Sequence, residues 1–159
     1  MYPNNPFTYS YLAGPAENEA RLAEDITAGN CRFALQLYFY KIHHLFLERD
    51  QIYLPGGYHS LGAFIFREQA IDYSQLKNGD ILYAQNLRNK VGVKLNRNQE
   101  AYPTKDAWIY HFHSAIFIRK PDNTEMVWHA TSIENGPAFW TRNRFEQYYK
   151  VISVKRILP

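Results

Sequence analysis

Cys31, the only cysteine in the 159-residue chain, follows Gly29 and Asn30 at the head of an apolar helical run, FALQLYFYKIHHLFL. A helix N-terminus carries unbonded backbone N–H groups and a partial positive charge, which favour a thiolate and can hold a developing oxyanion. A thiol placed there suits nucleophilic catalysis once an imidazole from elsewhere in the chain takes its proton. The plainer role for a lone cysteine is that of a small buried hydrophobe.

Imidazoles come from the C-terminal half. His111 and His113 stand two apart in WIYHFHSAIFIRK, so on a strand both face one side. His129 lies in EMVWHATS, beyond a turn at Pro121, Asp122 and Asn123, and the two runs read as a hairpin. His113 then sits nine residues before Asp122 and His129 six after Asn123, a spacing at which cross-strand imidazoles can meet. Cys31, His113 and His129 thus supply a nucleophile, a base and a group to fix the base's tautomer. His111, His113 and His129 are also the makings of a three-imidazole zinc site. That reading leaves Cys31 unexplained, so the expectation is a site without metal or other cofactor.

Several elements must position these groups. Residues 1–15 read as an irregular arm; Pro15 then opens a helix over 16–28, which Gly29 ends. Asn30 caps a second helix to about Leu47, with Arg32, Gln36, Tyr40 and His43 on one polar stripe and Cys31 on the apolar face of Leu35, Tyr38, Ile42 and Leu45. A short helix fits residues 61–70. Asn78 and Gly79 turn the chain into a strand at Ile81, Leu82 and Tyr83, with Asp80 serving the turn. From Gln85 to about Asp106 no period is visible, as in a functional or mobile segment. After the hairpin, Val151–Leu158 alternates as a closing strand. Helices first and strands after predict an α+β fold, N-terminal helices packed on an antiparallel sheet, as one domain over 1–159.

In this order the motifs resemble the NlpC family of papain-like cysteine peptidases. The likeness covers about residues 30–158: the helix-starting Cys31 after a small polar pair, L-x-x-G-D-I-L, H-S-A-I-F-I, V-W-H-A and a final V-x-R-I-L. The resemblance implies a papain-like NlpC fold, Cys31 as nucleophile, His113 as base and His129 as orienting residue. His113 is favoured over His111 because Ser114, Ala115 and the apolar Ile116, Phe117 and Ile118 follow it as in the family pattern. It further implies a substrate cleft bordered by Ser114, His111 and an upstream aromatic, Tyr9 or Tyr11. Where the family has Asp-Cys-Ser-Gly this chain has Asn30, Cys31, Arg32 and Phe33, so Arg32 and Phe33 would alter access to the thiol.

The implied substrate is a peptide or acyl amide, cell-wall peptidoglycan fragments foremost; the alternatives are a lipid amide hydrolase or acyltransferase of the same superfamily, to which Phe33 would offer an apolar wall, and a catalytically silent binding module. Thirteen Tyr and ten Phe within 46% hydrophobic residues argue against disorder. A net charge of +3 with scattered Lys and Arg, apart from RNKVGVKLNR, selects no nucleic acid. The start, MYPNNPFTYSYLAGP, has neither a basic nor an apolar leader region, and no apolar run is long enough to span a bilayer. The corresponding expectation is a cytoplasmic protein, or one exported by a non-Sec route.

Overall fold

The structure, a computed structural model, describes residues 7–9, 28–47, 61–67, 69–87, 94–95, 101–102 and 113–158. Its elements are β1 (Thr8–Tyr9), β2 (Ala28–Gly29), α1 (Cys31–His43), β3 (Ala63–Arg67), a 3-10 turn (Tyr73–Gln75), β4 (Ile81–Asn86), β5 (Lys94–Leu95), β6 (Ala101–Tyr102), β7 (His113–Arg119), β8 (Glu125–Thr131), β9 (Gly136–Thr141), α2 (Arg142–Glu146) and β10 (Tyr149–Arg156). The fold is α+β. One main helix accompanies a six-stranded antiparallel sheet in the order β3-β10-β4-β7-β8-β9, and β1-β2 and β5-β6 form two small pairs. By compactness the chain divides into two units: Met1–Leu61 with Trp128–Phe139, and Gly62–Val127 with Trp140–Pro159.

In the first unit α1 is buried along most of its length, from Phe33 to Phe39. Phe7 meets Phe33 edge-on at 5.0 Å, and Tyr38 lies 6.3 Å from Trp128. Gln36, placed by its spacing on the polar stripe, is buried instead and donates through Nε2 to the carbonyl of Leu47 at 3.1 Å. The helix stops at His43, four residues before the expected Leu47. His44 takes a left-handed φ of 53°, its N–H bonds Tyr40 O, and the N–H of Leu45 bonds Phe39 O, both at 3.1 Å. That is a left-handed helix stop with histidine where glycine usually sits, which is why composition did not reveal it.

The second unit centres on β10, paired antiparallel to β3 on one side and to β4 on the other, with β7 beyond β4. Residues 63–67 form a strand rather than the expected short helix. Aromatic and β-branched Phe64, Ile65 and Phe66 suit a pleated surface, and β10 offers them a partner ladder. Gly79 has a φ of 95°; its N–H bonds Phe117 O and the N–H of Phe117 bonds Asp80 O, so the turn before β4 is docked onto β7. β7 is buried from His113 to Ile118, and its stretch from Ala115 to Ile118 is continuously apolar. The turn joining β7 to β8 falls where Pro121, Asp122 and Asn123 indicated, closed by Lys120 N–H on Thr124 O at 2.9 Å.

Four expectations fall on undescribed residues: the helix over 16–27, the arm apart from 7–9, the start of the WIYHF strand, and most of 88–106. Ala28, the intended end of that first helix, stands in β2 instead. No helix among the described residues is long and apolar enough to cross a membrane.

Candidate functional site

Cys31 is the first residue of α1 and is 9% exposed. Asn30 is extended and caps the helix: its Oδ1 accepts from the N–H groups of Arg32 and Phe33, each at 3.1 Å, while Ala34 N–H bonds the Asn30 carbonyl. The Asn30 side chain thus engages two of the four free N–H groups of a helix start, and its carbonyl accepts the first intrahelical bond. The N–H of Cys31 takes no part in those bonds. The thiol therefore sits at the positive pole of a 13-residue helix, beside its own backbone donor.

His129 belongs to the same compact unit as Cys31 and is fully buried on β8. Arg32, also in that unit, is half-buried, and Phe33 is buried against Phe7.

His113 and Ser114 belong to the second unit, and as neighbours on one strand they face opposite sides of the sheet. His113 pairs with Ala84 of β4 and is 3% exposed. Its imidazole stacks on Tyr149 with ring centres 4.1 Å apart and planes 10° from parallel. Phe145 of α2 closes the cluster, 5.8 Å from His113 and 4.8 Å from Tyr149. Ser114 looks the other way. It pairs with Tyr83, which pairs in turn with Ser153, so three hydroxyl residues cross the sheet in one row. The Ser114 Oγ is buried without a hydrogen bond among the described residues. Burial pushes the Tyr83 phenol well above its ordinary range, so it stays protonated. Lys155, two residues beyond Ser153 on β10, is fully buried opposite Ile81 and Phe64, and burial pushes its ammonium down to about 8.

Tyr11, Tyr9 as a side chain, and His111 lie outside the described residues. Among the described residues no three His, Cys, Asp or Glu side chains gather as a metal ion requires. His43, near the end of α1, meets the Tyr38 hydroxyl at 3.3 Å, and desolvation with the neighbouring His44 lowers its pKa.

Sequence reasoning missed the aromatic support of His113. The signal was present in RFEQYY: Phe145 and Tyr149 are four apart across a short helix and the strand that follows. Their partner, however, lies more than thirty residues upstream, and no local pattern names it.

A cleft of about 680 Å³ is lined by Asp72, Tyr73, Ser74, Arg119, Glu125 and Arg142 among others. Its charged groups are engaged, Asp72 by Ser74 and Gln75 and the others as follows. Arg142 bonds Glu125 at 2.9 Å and Glu146 at 2.6 Å while lying 3.5 Å over the Tyr73 ring, and Arg119 donates to the carbonyls of Leu76 and Tyr73. No family model, curated protein or solved structure matches the chain.

Proposed function

We propose that this chain is a cysteine hydrolase of papain-like NlpC type that cleaves an amide bond, with peptidoglycan peptides as the leading substrate. The observation that carries the reading is the placement of Cys31: first residue of a buried helix, its own N–H outside the bonds of the Asn30 cap. Structural cysteines have no need of that position. A nucleophile does, because the helix pole stabilises both the thiolate and the oxyanion it creates.

In the proposed reaction an imidazole, assigned to His113, accepts the Cys31 proton. The thiolate attacks the amide carbonyl carbon, and the electron pair of the C=O bond moves onto oxygen, toward the Cys31 N–H. Collapse breaks the C–N bond, and the imidazolium returns its proton to the leaving amine. Water, deprotonated by the same imidazole, then cleaves the thioester and frees the carboxylic acid and the thiol. His129 is assigned to fixing the base's tautomer.

Incubation with purified peptidoglycan fragments and a panel of lipid amides, read by mass spectrometry, tests this. Wild-type protein is expected to release peptide products, Cys31→Ala none, and His113→Gln fewer by a factor on the order of 10² to 10⁴. His129→Gln is expected to be impaired less than His113→Gln. Equal turnover by wild type and Cys31→Ala removes the nucleophile, and turnover of lipid amides alone selects the lipid-directed alternative.

A further inference from the structure

The geometry points to Tyr149 as a positioning residue that holds the His113 imidazole, an inference resting on His113 being the base of the proposed reaction. Three rings make the case. The imidazole lies nearly parallel to Tyr149 at 4.1 Å, Tyr149 is stacked with Phe145 at 4.8 Å, and Phe145 touches the imidazole at 5.8 Å. His113 and Phe145 are almost wholly buried and Tyr149 is 5% exposed, so the imidazole has no room to swing without displacing a ring.

The support comes from three separate elements. β4 contributes Ala84 as backbone partner, α2 contributes Phe145, and β10 contributes Tyr149. Thr141 caps α2, accepting the N–H of Arg144 at 3.2 Å, and Arg144 lies 4.2 Å over the Trp140 ring, so the short helix carrying Phe145 is itself anchored. Small residues would fill the same space with less constraint. An aromatic face beside an imidazole does something more, since its negative quadrupole interacts differently with the neutral and the protonated ring. A base must cycle between those two forms, so a stacked aromatic both fixes its direction and tunes its proton affinity.

The titratable group against the imidazole in this cluster is the Tyr149 phenol. The charged neighbours of these aromatics in sequence, Glu146 on α2 and Lys150 on β10, line a cavity of about 320 Å³ together with Tyr149, Ile71, Tyr73 and Leu87. Tyr149 thus borders that cavity while also stacking on His113.

The test replaces the ring while sparing the imidazole. Tyr149→Phe keeps the stack and Tyr149→Leu removes it, with Tyr149→Met as a second ring-free variant should Leu not fold. The His113 imidazole is titrated by NMR in each full-length protein, independently of any substrate. The expected result is a midpoint in Tyr149→Phe within ~0.2 units of wild type, and one displaced by about half a unit or more in the ring-free variants. On a substrate whose turnover depends on Cys31, the ring-free variants lose about 10- to 100-fold in kcat with KM little changed, the acid limb of the pH profile moves with the NMR midpoint, and Phe restores both. An imidazole titration identical in wild type and ring-free variants overturns the inference. A displaced titration in a protein with no Cys31-dependent turnover keeps the aromatic support and discards the hydrolase.

Discussion

The Arg156 guanidinium grips the Asp80 carboxylate with two bonds, Nε to Oδ1 at 2.8 Å and a terminal nitrogen to Oδ2 at 2.7 Å. Asp80 Oδ2 also accepts the Lys77 N–H at 2.8 Å, and the same Arg156 nitrogen donates to the carbonyl of Gln75 at 3.0 Å. One aspartate therefore closes the turn that starts β4 and pins the end of β10 beside it. The pairing holds the Arg156 pKa above its ordinary value.

Asp80→Ala should be among the costliest substitutions outside the apolar core. The carboxylate is almost fully buried, and its loss strands a partly buried guanidinium and a turn N–H together. A loss of about 2–4 kcal/mol is expected, from urea unfolding at pH 7. A loss below half a kcal/mol would show that the turn holds without the pair.

Lys155 makes stability depend on alkaline pH. Burial lowers its folded pKa to about 8 against 10.5 for the free side chain. Between those values the unfolded chain keeps a proton that the folded chain has released, so stability rises as pH climbs from about 8 toward 10.5 and stays at its lower level below about 8. Lys155→Met should abolish that rise and stabilise the protein at pH 7, in denaturant unfolding repeated across the range.

Asn30→Ala removes an acceptor from two N–H groups at the head of α1. A loss of about 1 kcal/mol is expected, with Asn30→Asp close to wild type because its carboxylate caps equally well. Chemical unfolding of the three proteins side by side decides it.

Gly62→Ala tests the entry to β3. Gly62 has a φ of 79°, and a Cβ there would press into the carbonyl of Arg156. The left-handed conformation alone costs about 1–2 kcal/mol for alanine, so a fall in Tm of roughly 4 °C or more is expected in a thermal scan.

The sequence by itself determined the elements whose cause is local. Asn30 before an apolar run announced the start of α1, Asn78-Gly79-Asp80 the turn into β4, and Pro121-Asp122-Asn123 the loop of the hairpin, because caps and turns are specified by the residues that form them. The α+β class followed from their order. Tertiary structure alone decided the rest: that residues 63–67 are a strand, because β10 supplies its ladder; that Gln36 is inside, because Leu47 offers it a carbonyl; and that the end of α1 comes at a left-handed His44. It also decided what surrounds each histidine. Imidazole spacing along a strand is readable from period two, but the rings of Phe145 and Tyr149 reach His113 only through the meeting of β4, β7, β10 and α2. Such long-range packing leaves no trace in any single stretch of chain.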